Sequence, residues 1–117
     1  MDVKTLLIFA VGGAVVAFMM MKMSGGNPQE AKRLVEEGAT LVDVRSPSEY
    51  ASGHIDGAVN IPVGELGRRL DELPDKAQPI VVYCRSGARS GSAKSLLDSK
   101  GYQKVVNLGG IGAWPKD

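Results

Sequence analysis

The chain holds a single cysteine, Cys84, inside the run Tyr83-Cys84-Arg85-Ser86-Gly87-Ala88-Arg89-Ser90. An apolar stretch, Pro79-Ile80-Val81-Val82-Tyr83, delivers the thiol to the end of a strand, and the small and basic residues that follow can curl their backbone N–H groups around one point. Such a loop holds an anion. A thiol with an ordinary pKa of about 8.5 is mostly protonated at neutral pH, and the thiolate is the reactive form, so a nucleophilic Cys84 needs a loop that stabilises negative charge. Three devices coincide here: N–H groups from Arg85 to Ser90, the positive end of the helix that follows, and the guanidinium groups of Arg85 and Arg89. Gly87 permits a positive φ and a close approach to a ligand, while Ser86 and Ser90 offer hydroxyl donors. A small dianionic substrate suits this loop best. The same residues also admit an inert reading, a buried strand-end Cys before a glycine turn; two Arg residues within five positions of the thiol favour catalysis.

The elements that position this loop are legible upstream and downstream. Asn27-Pro28-Gln29-Glu30 predicts a helix start with Asn as N-cap, Pro at N1 and Glu at N3, and Gly38 ends that helix. Leu41-Val42-Asp43-Val44 is a short strand, and Ser46-Pro47-Ser48-Glu49 opens a second helix of one or two turns that ends at Gly53. Val59-Asn60-Ile61 is a minimal strand. Leu66, Leu70 and Leu73 repeat at helical spacing within residues 63–73, before a Pro74-Asp75 turn and the Ile80 to Tyr83 strand. Ala93, Leu96 and Leu97 mark a helix closed by Gly101; Val105 and Val106 form a last strand, and Gly109 to Trp114 a terminal loop. Short apolar strands alternating with amphipathic helices predict an α/β fold with a mostly parallel sheet, flanked by helices on both faces. In such sheets ligands bind beyond the carboxyl ends of strands, where Cys84 lies.

At 117 residues the chain has room for one small domain and an appendage. Its net charge is +1, and setting aside Asp2, Lys4 and Lys22 leaves 12 basic and 12 acidic residues. Without a basic run or an interleaved aromatic stripe, nothing supports nucleic-acid binding. A lone cysteine rules out an intramolecular disulfide. The appendage is the N-terminus: Thr5 to Met21, seventeen residues without a charge, lie between Lys4 and Lys22. As a helix this run spans about 25 Å, near the short end of transmembrane length, with both lysines able to snorkel. A cleaved signal peptide is the rival, but Met20-Met21-Lys22-Met23 is a poor small-residue cleavage site. The reading is a transmembrane anchor over residues 1–22, a flexible linker over 23–27 and a folded domain over 28–117. Lys22, Lys32 and Arg33 outweigh Lys4, which places that domain on the cytoplasmic side of the inner membrane.

From Pro28 to Trp114 the chain resembles the rhodanese homology domain. The resemblance is carried by Leu41-Val42-Asp43-Val44-Arg45 with Glu49-Tyr50, by Gly53-His54-Ile55-Asp56-Gly57-Ala58-Val59-Asn60-Ile61-Pro62, by the Cys84 to Ser90 loop, and by Gly109-Gly110 with Ala113-Trp114. It implies the rhodanese-like sheet, Cys84 as a catalytic residue that carries a persulfide, no cofactor, and thiosulfate or another sulfane-sulfur donor bound by Arg85, Ser86, Gly87, Ala88, Arg89 and Ser90. The acceptor would be cyanide, a thiol or a protein thiol. Related phosphatases place five residues between Cys and Arg, whereas four separate Cys84 from Arg89, which favours sulfur transfer. The alternative is a persulfide carrier or docking module in a sulfur relay with little activity on thiosulfate. Within this reading Arg85 and Arg89 orient the donor and stabilise leaving sulfite, or Arg89 braces the loop. His54 has a structural role, and one His with one Cys makes no metal site. Asp43, Arg45 and Glu49 form a polar network, Trp114 caps the core, and the methionines from Met19 to Met23 are lipid-facing bulk. The chain runs only three residues past Trp114, which would leave the C-terminal side of the site open.

Overall fold

The computed structural model describes residues 27–116. Its first helix, α1 (Pro28–Glu36), starts where the sequence signals: the Asn27 side chain accepts the Glu30 N–H at 3.2 Å and Pro28 occupies the first turn. Strand β1 (Thr40–Asp43) leads to α2 (Pro47–Ala51). This second helix is held by a reciprocal cap in which Ser46 Oγ accepts the Glu49 N–H at 3.3 Å and Glu49 Oε1 accepts the Ser46 N–H at 3.1 Å. After the two-residue strand β2 (Val59–Asn60) come α3 (Val63–Leu66), β3 (Ile80–Cys84), α4 (Ala88–Ser99) and β4 (Val105–Gly110). The strands form one parallel sheet in the order β2-β1-β3-β4.

Side chains that alternate along the strands divide into two cores, one on each face. Val42, Val44, Ile80, Val82 and Cys84 point toward Leu66, Ala93 and Leu97 of α3 and α4. Leu41, Val81, Tyr83 and Leu108 point the other way, toward Ala31 and Leu34 of α1, with Tyr50 and Trp114 packed alongside. The central strands β1 and β3 are buried on both faces, as their near-continuous apolar runs imply, and Trp114 packs against the second core.

Two elements differ from expectation. The helix predicted over residues 63–73 breaks after Leu66, and its end becomes a separate 3-10 turn at Leu70–Glu72. Gly64 and Gly67 weaken helical propagation, and the Tyr102 hydroxyl, donating to Leu73 O at 2.6 Å, ties down the end of the segment. Leu66 and Leu73 still reach one core, so the apolar spacing survives without the helix. Strand β4 is also longer than Val105-Val106: it pairs with β3 as far as Cys84 opposite Gly110. Its register shifts between Val82 and Tyr83, which leaves Leu108 as the extra residue of a bulge. Residues 1–26, and with them the expected anchor and nearly all of the linker, lie outside the described residues. Among the described residues no helix is long and apolar enough to cross a membrane.

Candidate active site

Strand β3 ends at Cys84, whose side chain is 1% exposed, and α4 begins four residues later at Ala88. Between them the chain reverses at Gly87, with φ of +108°, a conformation a side chain would strain. That reversal aims the Gly87 N–H at Cys84 Sγ, 2.9 Å away. The Ser90 hydroxyl lies 3.3 Å from the same sulfur. Burial pushes the thiol pKa up, but the Ser90 hydroxyl and the amides of Ser90, Gly87 and Ser86 more than offset it, and the thiol sits below its ordinary value. The helix N-terminus is open as well, since no side chain caps α4 at Gly87.

Strand β4 supplies the floor. A side chain at Gly110 would place its Cβ 2.6 Å from the Arg85 carbonyl oxygen, so the loop can lie against β4 only where residue 110 has none. Gly110 therefore belongs to the site's architecture, as does Gly109, whose carbonyl lies 3.4 Å from the Ser90 hydroxyl. The local sequence predicts a terminal loop there, because glycines are poor strand formers and nothing nearby signals the approach.

The six loop residues expected around a donor separate into different roles. Arg85, Ser86 and Ala88 are exposed on the rim, and Ser90 is fully buried beneath it. Arg89 makes a two-pronged ion pair with Glu49, Nη1 to Oε1 at 2.7 Å and Nη2 to Oε2 at 3.0 Å, tying the loop to α2. These bonds raise the Arg89 pKa, with the nearby Cys84 thiolate adding to the effect. Glu49 is held down to about 2 by Arg89 and by the Ser46 amide and hydroxyl. The pair joins the loop to α2 through Arg89, the geometry a brace requires. Glu49 leaves the network expected with Asp43 and Arg45, drawn away by a partner 40 residues distant that no local spacing reveals.

Asp43 and Arg45 do pair, with Arg45 Nη2 2.6 Å from Asp43 Oδ2 and Nε 3.0 Å from Oδ1. Arg45 also donates to Gly53 O at 2.7 Å and lies 5.7 Å from the Tyr83 ring centroid. Tyr83 is pushed up to about 12, chiefly by burial. His54 is placed with Tyr50: the rings stack 3.7 Å apart, and His54 Nδ1 lies 2.9 Å from Tyr50 O. Its position is that of a loop brace.

Residues 27–117 match the family model of the Rhodanese-like domain. The chain belongs to the rhodanese-like family. It is 44% identical over 71 residues to the thiosulfate sulfurtransferase PspE of Escherichia coli, covering 60% of this chain and 68% of that one. A sulfurtransferase of Allochromatium vinosum is 44% identical over 88 residues, covering 74% and 81%. Among solved structures, the human single-domain sulfurtransferase TSTD1 superposes with a TM-score of 0.67 at 35% identity, covering 76% of this chain and 96% of that one. An Escherichia coli rhodanese solved with anions gives 0.62 at 40% identity, covering 65% and 91%. This rhodanese-like domain is an enzyme of the sulfurtransferase class.

Proposed function

We propose that this protein is a membrane-anchored thiosulfate sulfurtransferase that works through a persulfide on Cys84. The observation that carries the chemistry is the 2.9 Å hydrogen bond from the Gly87 N–H to Cys84 Sγ, made at the open end of a 12-residue helix. Such contacts favour the thiolate over the thiol. Relatives named thiosulfate sulfurtransferase at 35 to 44% identity support thiosulfate as the donor. In the first half-reaction Cys84 Sγ attacks the outer sulfur of thiosulfate; the bond to the sulfonate sulfur breaks, and sulfite leaves with the electron pair. In the second, a thiolate or cyanide attacks the outer sulfur of the persulfide, and the electron pair returns to Cys84 Sγ. The mechanism is ping-pong. Loop amides stabilise the charged sulfur, Arg85 on the rim draws in the anionic donor, and Arg89, engaged by Glu49, fixes the loop.

Sulfite release from thiosulfate with cyanide as acceptor tests this reading. Cys84→Ser is expected to abolish turnover, a loss of at least about a thousandfold for removal of a covalent nucleophile. Turnover that survives the substitution overturns it, and Cys84-dependent persulfide loading without turnover would make the protein a sulfur carrier instead.

The anchor rests on the seventeen uncharged residues from Thr5 to Met21, and the cytoplasmic placement of the domain at the inner membrane on Lys22, Lys32 and Arg33 against Lys4. The full chain should need detergent, and a chain beginning at Asn27 should not. A full-length chain that stays monomeric in plain buffer removes the anchor from the proposal.

A further inference from the structure

Of the loop's side chains, Ser90 touches the reacting sulfur while being closed off from solvent, at 0% exposure. Its hydroxyl therefore faces away from a donor bound above the loop. The oxygen lies 3.3 Å from Cys84 Sγ, 3.1 Å from Gly87 O and 3.4 Å from Gly109 O. A hydroxyl has one proton, and three neighbours compete for it. Charge decides the competition. With Cys84 protonated, its S–H donates to Ser90 Oγ and the Ser90 proton goes to a carbonyl. With Cys84 ionised, the sulfur is the stronger acceptor and the hydroxyl turns to it. The Gly87 carbonyl is not orphaned by that turn, because it also accepts the Gly91 N–H at 2.9 Å, the first bond of α4.

We propose that Ser90 is a catalytic proton switch: its hydroxyl donates to Cys84 Sγ when that sulfur is a thiolate and returns to the backbone carbonyls when the sulfur is capped by a persulfide. This role rests on the sulfur-transfer reading above. The thiolate occurs twice in the cycle, as the nucleophile that attacks thiosulfate and as the leaving group when the acceptor takes the outer sulfur. Between these points the negative charge has moved off Sγ. A stabilised thiolate is a slightly weaker nucleophile, with a sensitivity of about 0.4 to 0.5, and a better leaving group. Ser90 thus helps the first half-reaction by raising the thiolate fraction below the midpoint, and the second at every pH.

Two measurements on the full chain in detergent test the switch. The rate of iodoacetamide alkylation against pH, followed by mass spectrometry, reports Cys84 alone because the chain has one cysteine. Ser90→Ala should move its midpoint up by about one pH unit, a tenfold loss of thiolate well below the midpoint, and Ser90→Thr should restore it. In steady state, Ser90→Ala should lower kcat/KM for thiosulfate about tenfold at pH values well below the alkylation midpoint, with recovery above the new midpoint. Its kcat/KM for the acceptor should stay low throughout, and persulfide should accumulate. An unchanged alkylation midpoint in Ser90→Ala, or equal losses in both half-reactions at every pH, overturns the proposal. If the unsubstituted protein releases no sulfite, the sulfur-transfer reading fails, while the alkylation midpoint still decides what Ser90 does to the thiolate. Should Ser90→Thr not fold, the Ser90→Ala midpoint decides alone.

Discussion

The carboxyl ends of β1 and β3, neighbours paired at Asp43 and Tyr83, treat buried charge in opposite ways. At the end of β1, Asp43 is fully buried and accepts from the Arg45 amide, Nε and Nη2, and Arg45 spends a further donor on Gly53 O. Asn60 Nδ2 closes the same turn through Asp43 O and Arg45 O. Carboxylate and guanidinium face each other there, and each is satisfied by the other. At the end of β3 the donors outnumber the standing charge: the Gly87 N–H, the Ser90 hydroxyl and the open start of α4 converge on a sulfur whose charge comes and goes. A buried polar cluster is therefore no sign of chemistry in itself. What marks the β3 end is that its hydrogen bonds are better made in one state of the sulfur than in another.

That contrast breaks first at Asp43. Replacing it by Ala leaves the Arg45 guanidinium buried without its partner, at a cost of about 3 to 5 kcal/mol in denaturant unfolding. Replacing both residues together, Asp43→Leu with Arg45→Met, should recover much of the loss, since an apolar pair avoids desolvating two charges. Cys84 in the folded fraction should alkylate with an unchanged midpoint. A shifted midpoint would mean that the two strand ends share one electrostatic network.

Gly110→Ala probes the opposite end of the comparison. The new Cβ meets the Arg85 carbonyl at 2.6 Å, so the loop must move. Overpacking of this kind costs about 1 to 3 kcal/mol, less than the Asp43 substitution. Turnover should nonetheless fall by roughly ten- to a hundredfold, because displaced loop amides no longer meet the sulfur. A variant that loses stability but keeps its rate would show that the loop tolerates displacement.

The uneven legibility of the sequence follows the same division. Caps, turns and apolar runs are local, so α1, α2, β1 and the β3-to-α4 delivery of Cys84 can be read from neighbouring residues. The Asp43–Arg45 pair is two residues apart and equally visible. What cannot be read locally are contacts made by folding: Glu49 with Arg89 across 40 residues, the Tyr102 hydroxyl on Leu73 O, and Gly110 beneath Arg85. Ser90 could be named as a donor, but only its burial shows that it faces the sulfur from below.

The Arg89–Glu49 pair stands between the two ends and sharpens the comparison by the smallest effect. Its side chains are 38% and 28% exposed, so water and salt screen it, and near pH 7 its loss should lower Tm by no more than a few degrees. Acid separates the cases. The folded Glu49 pKa of about 2 lies below the ordinary value of 4.5, so the pair's stabilisation is complete above 4.5 and drains away as pH falls toward 2. Tm of the unsubstituted protein should therefore drop more steeply between pH 5 and pH 2.5 than that of Glu49→Gln, which keeps the hydrogen-bonding shape and cannot ionise. Other carboxylates titrate in both proteins, so the difference between the two curves isolates Glu49. Parallel curves would mean that Glu49 does not hold Arg89 in solution, and Arg89 would then be free to meet the anionic donor directly.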